Sequence, residues 1–208
     1  MKKTLLLVLM ALMGITAAEA KRRETPEEIE RKTRHYAGWE WGAAGRFNLT
    51  FCELDYMRVA NESAETAYQS LAKCGGSVLL NGGYFLNNHW RLGMELGAQI
   101  QYDYTVVPLY ATAHYFYGTR KNCLFNFVNL GTNVLFDKGL RFGSTCAGGV
   151  GFRIQTPESE CKYDIMVGYQ ALLMHPRPVV KEPHNFKPSD IRRKRFDQGV
   201  FIGFGVSF

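Results

Sequence analysis

The segment DQGVFIGFGVSF, residues 197–208, alternates between large apolar side chains and small or polar ones. One parity carries Val200, Ile202, Phe204, Val206 and Phe208. The other parity is mostly glycine and serine, with Phe201 as its large member. A period of two predicts a β-strand with two unlike faces, because successive side chains of a strand point to opposite sides. A face this apolar at the end of the chain is best explained if it meets lipid.

The same alternation recurs through most of the chain. WEWGAAGRFNLTF (39–51) and HWRLGMELGAQIQY (89–102) each place tryptophan, leucine and other large apolar or aromatic residues on one parity, and polar or tiny residues on the other. Such segments are longer than ordinary soluble strands and long enough to cross a bilayer at a tilt. The pattern predicts eight strands, at about 39–51, 76–86, 89–102, 105–117, 123–136, 139–154, 161–174 and 197–208.

Aromatic residues gather at one end of these strands if the strands run up and down. The group comprises Trp39, Trp41, Tyr84, Trp90, Tyr115, Tyr117, Phe152, Tyr163 and Phe208. A ring of aromatic side chains is typical of a barrel at a membrane–water interface. A soluble β-sandwich would also alternate, but it gives no reason for aromatic residues to collect at strand ends.

The N-terminal residues have the pattern of a secretory signal peptide. Lys2 and Lys3 precede an apolar stretch from residue 4 to about 15, and Ala18 and Ala20 form a small-residue cleavage site. We therefore expect residues 1–20 to be removed on export. A membrane anchor is the alternative, although the apolar run is short for a span. Residues 21–38 are polar and predict an N-terminal arm that can form a short helix.

These features together resemble the small outer-membrane β-barrels of the OmpA-transmembrane and OmpX-like, porin-like kind. The resemblance implies an all-β, eight-stranded antiparallel up-and-down barrel over residues 39–208, located as a monomer in the outer membrane of a Gram-negative cell. It further implies that the barrel assembly machinery reads the end of the chain as a sorting signal. The residues matching that signal are Ile202, Phe204, Val206 and Phe208.

A barrel of eight strands has an interior just wide enough for side chains. The parity of the strands points a set of charged residues inward: Glu40, Arg46, Arg91, Glu95, Arg141, Arg153, Lys162 and Asp164. Buried charges must pair, because an unpaired one costs several kcal/mol. We predict a salt-bridged plug in which Glu95 contacts Arg46 or Arg91, and Asp164 contacts Arg153 or Lys162.

The sequence favours a non-enzymatic barrel with a structural or surface-interaction role through its long loops. A small-solute channel is the alternative, and a lipid-modifying enzyme is a weaker one. The chain lacks a G-x-S-x-G motif, and SLAK (70–73) has no K-T-G partner. We expect no cofactor, no metal site and no nucleic-acid partner.

Five cysteines are present, an odd number. Cys52 and Cys74 lie at either end of the first long connection, at facing ends of neighbouring predicted strands. We expect these two to form a disulfide, which would stabilise a loop of this size by about 3 kcal/mol.

The last long connection, residues 175–196, is strongly basic and contains four prolines. Its basic run is Arg192, Arg193, Lys194 and Arg195. The sequence predicts an extracellular loop that contacts anionic lipopolysaccharide and outer-membrane lipid. Salt bridges to the acidic first loop are an equal alternative, although surface pairs are individually weak.

Overall fold

In the computed structural model, the chain divides into two units, residues 1–33 and residues 34–208. The structure describes residues 27, 30, 33, 38–59, 65–69, 73–101, 104–136, 140–155, 160–176 and 191–208. In the first unit, Glu27 and Glu30 have helical backbone. The predicted signal peptide, residues 1–20, lies outside the described residues, as does most of the predicted arm.

The described part of the second unit contains nine β-strands. They are β1 Gly38–Val59, β2 Glu65–Gln69, β3 Lys73–Phe85, β4 Trp90–Gln101, β5 Tyr104–Phe116, β6 Cys123–Phe136, β7 Leu140–Gln155, β8 Lys162–Met174 and β9 Ile191–Ser207.

Eight of these strands close into a barrel. Antiparallel pairing runs in the order β1-β3-β4-β5-β6-β7-β8-β9, and a further pairing between β1 and β9 closes the sheet. β2 pairs with β1 alone and lies outside the closed ring. Closure removes the sheet edges, which a membrane-spanning sheet requires. The predicted eight-stranded up-and-down barrel is confirmed.

The predicted alternation separates the interior of the barrel from its exterior. In β4, Arg91, Glu95 and Gln99 are buried, whereas Leu92 and Leu96 are about half exposed. In the interior of the barrel, small residues pack against large ones. A Cβ on Gly151 would lie 2.3 Å from the ring of Phe125, so glycine is required there to seat this phenylalanine.

The aromatic girdle lies on the exterior, around the rim where β1 begins and β9 ends, which we call the girdle rim. Trp39 stacks on Trp41 at 5.9 Å between ring centroids and meets the edge of Tyr84 at 5.5 Å. Trp90 and Tyr115 make a similar edge contact across β4 and β5. Among the described residues, no helix is long and apolar enough to cross a membrane.

At the opposite rim the structure differs from the sequence-based expectation. β1 continues to Val59 and β9 already begins at Ile191, and the two strands stay paired along this whole length. The predicted loop 175–196 therefore ends at least six residues earlier than expected. We call the paired residues 53–59 and 191–197, together with β2, the ribbon, and the rim that bears it the ribbon rim.

The ribbon was missed because charged side chains mask its period. Its residues are charged on both faces, so no apolar parity marks the strand. A register shift between Thr50 and Cys52 also interrupts the alternation of β1 just below the ribbon.

Candidate functional site

An ion-pair cluster fills the interior near the girdle rim. We call it the girdle cluster, and its members are Glu40, Arg91, Arg153, Lys162 and Asp164. They come from β1, β4, β7 and β8, so the cluster ties together strands that lie on different sides of the barrel. All five belong to the set that the sequence pointed inward.

Glu40 is the centre of this cluster. Its carboxylate accepts hydrogen bonds from both terminal nitrogens of Arg153 at 3.0 Å and from Lys162 Nζ at 2.8 Å. Arg91 Nε lies 3.3 Å from Oε1 of the same carboxylate. One carboxylate thus faces three cations. Its side chain is 2% exposed, so solvent screening is weak.

Asp164 supplies the second negative charge. It accepts two hydrogen bonds of 2.7 Å from Arg153, in the bidentate geometry that gives the strongest Arg–carboxylate pairs. This pairing is one of the two alternatives left open by the sequence. Gly83 makes room for the cluster, because a Cβ there would lie 2.8 Å from Arg91 Cζ.

A layer of aromatic side chains crosses the lumen beside the girdle cluster. We call it the aromatic layer, and its members are Phe85, Phe116, Phe125, Phe127, Phe201 and His114. The His114 ring stacks on Phe125 at 5.5 Å with an interplanar angle of 3°. The guanidinium of Arg153 lies 4.8 Å from the centre of the Phe116 ring, so the cluster and the layer are in contact.

A single buried ion pair follows on the other side of the aromatic layer. Arg46 donates to Glu95 at 2.5 Å, and Asn129 donates to the same carboxylate oxygen at 2.8 Å. The Arg46 guanidinium also lies 5.0 Å from the Phe201 ring. The contact with Arg46 is the other pairing that the sequence left open for Glu95.

Towards the ribbon rim the lumen is lined by polar groups that are not fully bonded and by a buried apolar cluster of Val106, Leu135, Leu172 and Met174. Within the described structure, the side-chain nitrogen and oxygen of Asn48 are buried without a hydrogen-bond partner. The same holds for the side-chain amide nitrogens of Gln99 and Gln170. These groups can bond water or a small polar solute. We call these groups the polar lining; they share this half of the lumen with the apolar cluster, and the Arg46–Glu95 pair bounds both.

A second ion-pair cluster lies where the ribbon leaves the barrel. Glu53 pairs with Arg195 at 2.9 Å and with Lys73 at 2.8 Å, while Arg195 also donates to Asp197 at 2.9 Å. We call these four residues the ribbon cluster. The Tyr104 ring lies 4.7 Å from the Arg195 guanidinium. Sequence reasoning missed this cluster because it treated residues 175–196 as a loop.

The prediction that the basic run 192–195 lies in a loop is wrong, because all four residues belong to β9. Arg193 pairs with Asp55, and Arg195 belongs to the ribbon cluster. Arg192 and Lys194 alternate with them and are exposed. The alternative prediction, salt bridges to acidic residues of the first connection, therefore holds for Arg193 and Arg195.

Arg141 lies apart from the ion-pair clusters. It is only partly buried and donates to the backbone carbonyl of His175 at 3.2 Å. The prediction that Arg141 belongs to the charge network of the lumen is wrong. Arg141 lies near the start of β7, which places it at the ribbon rim.

The predicted disulfide is wrong. Cys52 and Cys74 are both free, with Cys52 buried and Cys74 exposed. The register pairs Cys74 with Leu49, three residues from Cys52 and about 10 Å along the strand. A disulfide requires Cα atoms within about 7 Å and side chains on the same side.

Two of the described histidines contact backbone carbonyls, and the third has no hydrogen-bond partner. His89 and His175 contact the carbonyls of Phe116 and Phe142, and both ring nitrogens of His114 lack a partner. In this part of the chain, no group of three or more metal-ligating side chains comes together.

The residues of the predicted sorting signal lie on the exterior face of β9 and, for Phe208, directly after its end. Ile202 and Phe204 are more than half exposed, and so is Phe208. Main-chain hydrogen bonds join Phe208 to Trp41 in both directions, at 2.8 and 3.3 Å. Recognition of this segment by the assembly machinery stays a prediction.

Comparison with solved structures gives matches to small outer-membrane proteins. OprG from Pseudomonas aeruginosa matches with a TM-score of 0.54 and 14% identity, covering 84% of this chain and 98% of that one. Neisserial surface protein A matches with a TM-score of 0.36 and 16% identity, over 79% and 96% of the two chains. Ail of Yersinia pestis matches with 0.35 and 11%, over 80% and 99%.

No known protein family and no curated protein matches the sequence. The match to OprG establishes the fold at a sequence identity too low to carry function. Together with an apolar exterior and a closed sheet, it shows that the chain has the fold of an outer-membrane β-barrel.

Proposed function

We propose that the protein is a non-enzymatic outer-membrane barrel whose lumen is closed and which acts through its outer surface and its ribbon. The observation that carries this proposal is the aromatic layer. Phe116 and Phe125 are 0% exposed, and Phe127 and Phe201 are 2% and 1% exposed. Side chains buried to this degree across the lumen leave no continuous aqueous path.

The ion pairs on each side of this layer support the same conclusion. Arg91 and Arg153 are 2% and 1% exposed, and both are held by Glu40. An ion that entered the lumen would have to separate these buried pairs, at a cost of several kcal/mol for each. Apolar constrictions themselves oppose conduction by excluding water.

A small-solute channel is the second candidate. The observation that favours it is the polar lining on the ribbon side, where Asn48, Gln99 and Gln170 have unpaired polar atoms. A solute could bond to these groups. Passage would still require the aromatic layer to move, so the polar lining alone supports binding rather than transport.

Planar-bilayer recording of the refolded barrel tests the proposal. We expect no stepwise conductance from the wild-type protein. A variant with Phe125, Phe127 and Phe201 all changed to alanine should conduct, because it removes the apolar constriction. The matched control changes the exterior residues Phe47, Phe142 and Phe204 to alanine and should stay closed. Defined conductance steps from the wild-type protein would refute the closed lumen and favour the channel.

A further inference from the structure

The outward face of the ribbon carries three exposed basic side chains: Arg58, Arg192 and Lys194. They occupy the parity opposite to Glu53, Asp55, Arg193 and Arg195, which point towards the barrel axis or pair with one another. In the described structure, none of the three has an ion-pair partner. Their charges are thus available on the side of the ribbon that faces the surrounding membrane.

Strand register places two of these charges directly against each other. Arg58 is the cross-strand partner of Arg192, and Tyr56 is the partner of Lys194. Side chains of directly paired residues lie about 5 Å apart, and like charges at this distance destabilise the pairing. An anion between the two guanidinium groups would remove this repulsion. Paired arginines also match the oxygen geometry of a phosphate.

The height of these residues indicates which anion they meet. Leu54 pairs with Phe196 on the same outward face, next to Tyr56 and Lys194. A tilted strand rises about 2.5 Å per residue along the barrel axis. Lys194 and the Arg58–Arg192 pair therefore lie about 5 and 10 Å beyond the last apolar pair. Lipid headgroups occupy a layer of about 5–8 Å above the hydrocarbon, so Lys194 lies within this layer and the long side chains of Arg58 and Arg192 reach it from just above.

We propose that Arg58, Arg192 and Lys194 form a binding site for the phosphate groups of a membrane lipid, with the acyl chains lying along the apolar face below. A phosphorylated lipid such as lipid A has both parts of the required chemistry. The inference rests on the barrel spanning the membrane and not on the closed lumen, so a conducting barrel would leave it unaffected.

Native mass spectrometry or equilibrium binding in detergent micelles tests the site with diphosphoryl lipid A as the probe. Replacing Arg58 and Arg192 with glutamine should lower the affinity about 25-fold at low ionic strength, because each basic residue near an anionic surface contributes about fivefold. Added salt should weaken wild-type binding in the same direction.

The matched control is the pair Arg120→Gln and Lys121→Gln, which removes the same charge in the turn at the girdle rim. It should leave the affinity unchanged. An equal loss in both double variants would mean general charge attraction and would overturn the site. Excess inorganic phosphate should fail to displace lipid A, because it lacks the acyl chains; full displacement would mean a simple anion site.

Thermal unfolding gives an independent readout. In zwitterionic detergent without lipid A, Arg58→Gln should raise the melting temperature slightly, since it removes the repulsion from Arg192. With lipid A present, the same change should lower the melting temperature relative to wild type. A variant that is less stable in zwitterionic detergent, with unchanged lipid A binding, would show that acids of the chain such as Glu62, Glu182 or Asp190 neutralise these charges. That outcome would overturn the proposal.

Discussion

The two faces of the ribbon carry similar side chains with opposite surroundings. Arg193 and Arg195 point inward and pair with Asp55, Glu53 and Asp197. Arg192 and Lys194, their immediate neighbours, point outward and have no partner within the described residues. The residue types are the same on both faces, so composition does not account for the difference.

Strand geometry explains the contrast. Successive side chains of a strand face opposite sides, so one basic run divides into an inner set that holds the protein together and an outer set that is available to bind. The same division holds through the barrel, where buried charges are paired inside and apolar residues cover the outside. Inner substitutions should therefore change stability, and outer ones should change interactions.

The largest effect should come from Glu40, the centre of the girdle cluster. Glu40→Gln leaves Arg91, Arg153 and Lys162 with Asp164 as the nearby carboxylate, and we expect a loss of about 3–5 kcal/mol in the free energy of unfolding. Urea unfolding in lipid vesicles, followed by tryptophan fluorescence, measures this loss. Glu160→Gln, an exposed change at the same rim, should cost less than about 0.5 kcal/mol. Equal effects of the two would contradict the central role of Glu40.

Glu95→Ala should have the next largest effect, about 3 kcal/mol, because it leaves Arg46 buried at 4% exposure without its carboxylate. The double variant Arg46→Met and Glu95→Leu should recover much of the loss, since it removes both charges. Unfolding midpoints of the singles and the double give the coupling energy. A double variant as unstable as the sum of the singles would show that the pair is not coupled.

The smallest effect concerns Cys52 and Cys74. Reductant should leave the unfolding midpoint unchanged, because Cys52 and Cys74 are both free and lie about 10 Å apart along the sheet. A membrane-permeant thiol reagent should label Cys74 before Cys52. A midpoint that falls on reduction would indicate a disulfide and contradict this placement.

The barrel could be predicted from the sequence because its walls separate two solvents. Apolar exterior and polar or small interior residues alternate with period two, and this parity also placed Glu40, Arg46, Glu95 and Arg153 inside. Periodicity gives the face of a residue but not its partner. The choice of Arg46 for Glu95 depends on positions across the lumen, between strands far apart in sequence.

The ribbon could not be predicted in the same way. Its strands leave the apolar belt, so both faces carry charge and the period of two loses its contrast. The pairing of Val59 with Ile191 depends on the closure of β1 against β9 rather than on local sequence. The disulfide prediction failed for a related reason. β1 continues as a strand past Thr50, so Cys52 lies three residues beyond Leu49, the cross-strand partner of Cys74.

A glutamine scan of residues 192–195 tests the division between inner and outer faces most directly. Urea midpoints of the four single variants should alternate. Arg195→Gln should cost about 2 kcal/mol because it leaves Glu53 and Asp197 buried, and Arg193→Gln should cost up to about 1 kcal/mol. Arg192→Gln and Lys194→Gln should stay within about 0.5 kcal/mol of wild type. Four equal midpoints would contradict the account, because they would show that the run is a solvated loop and not part of a strand.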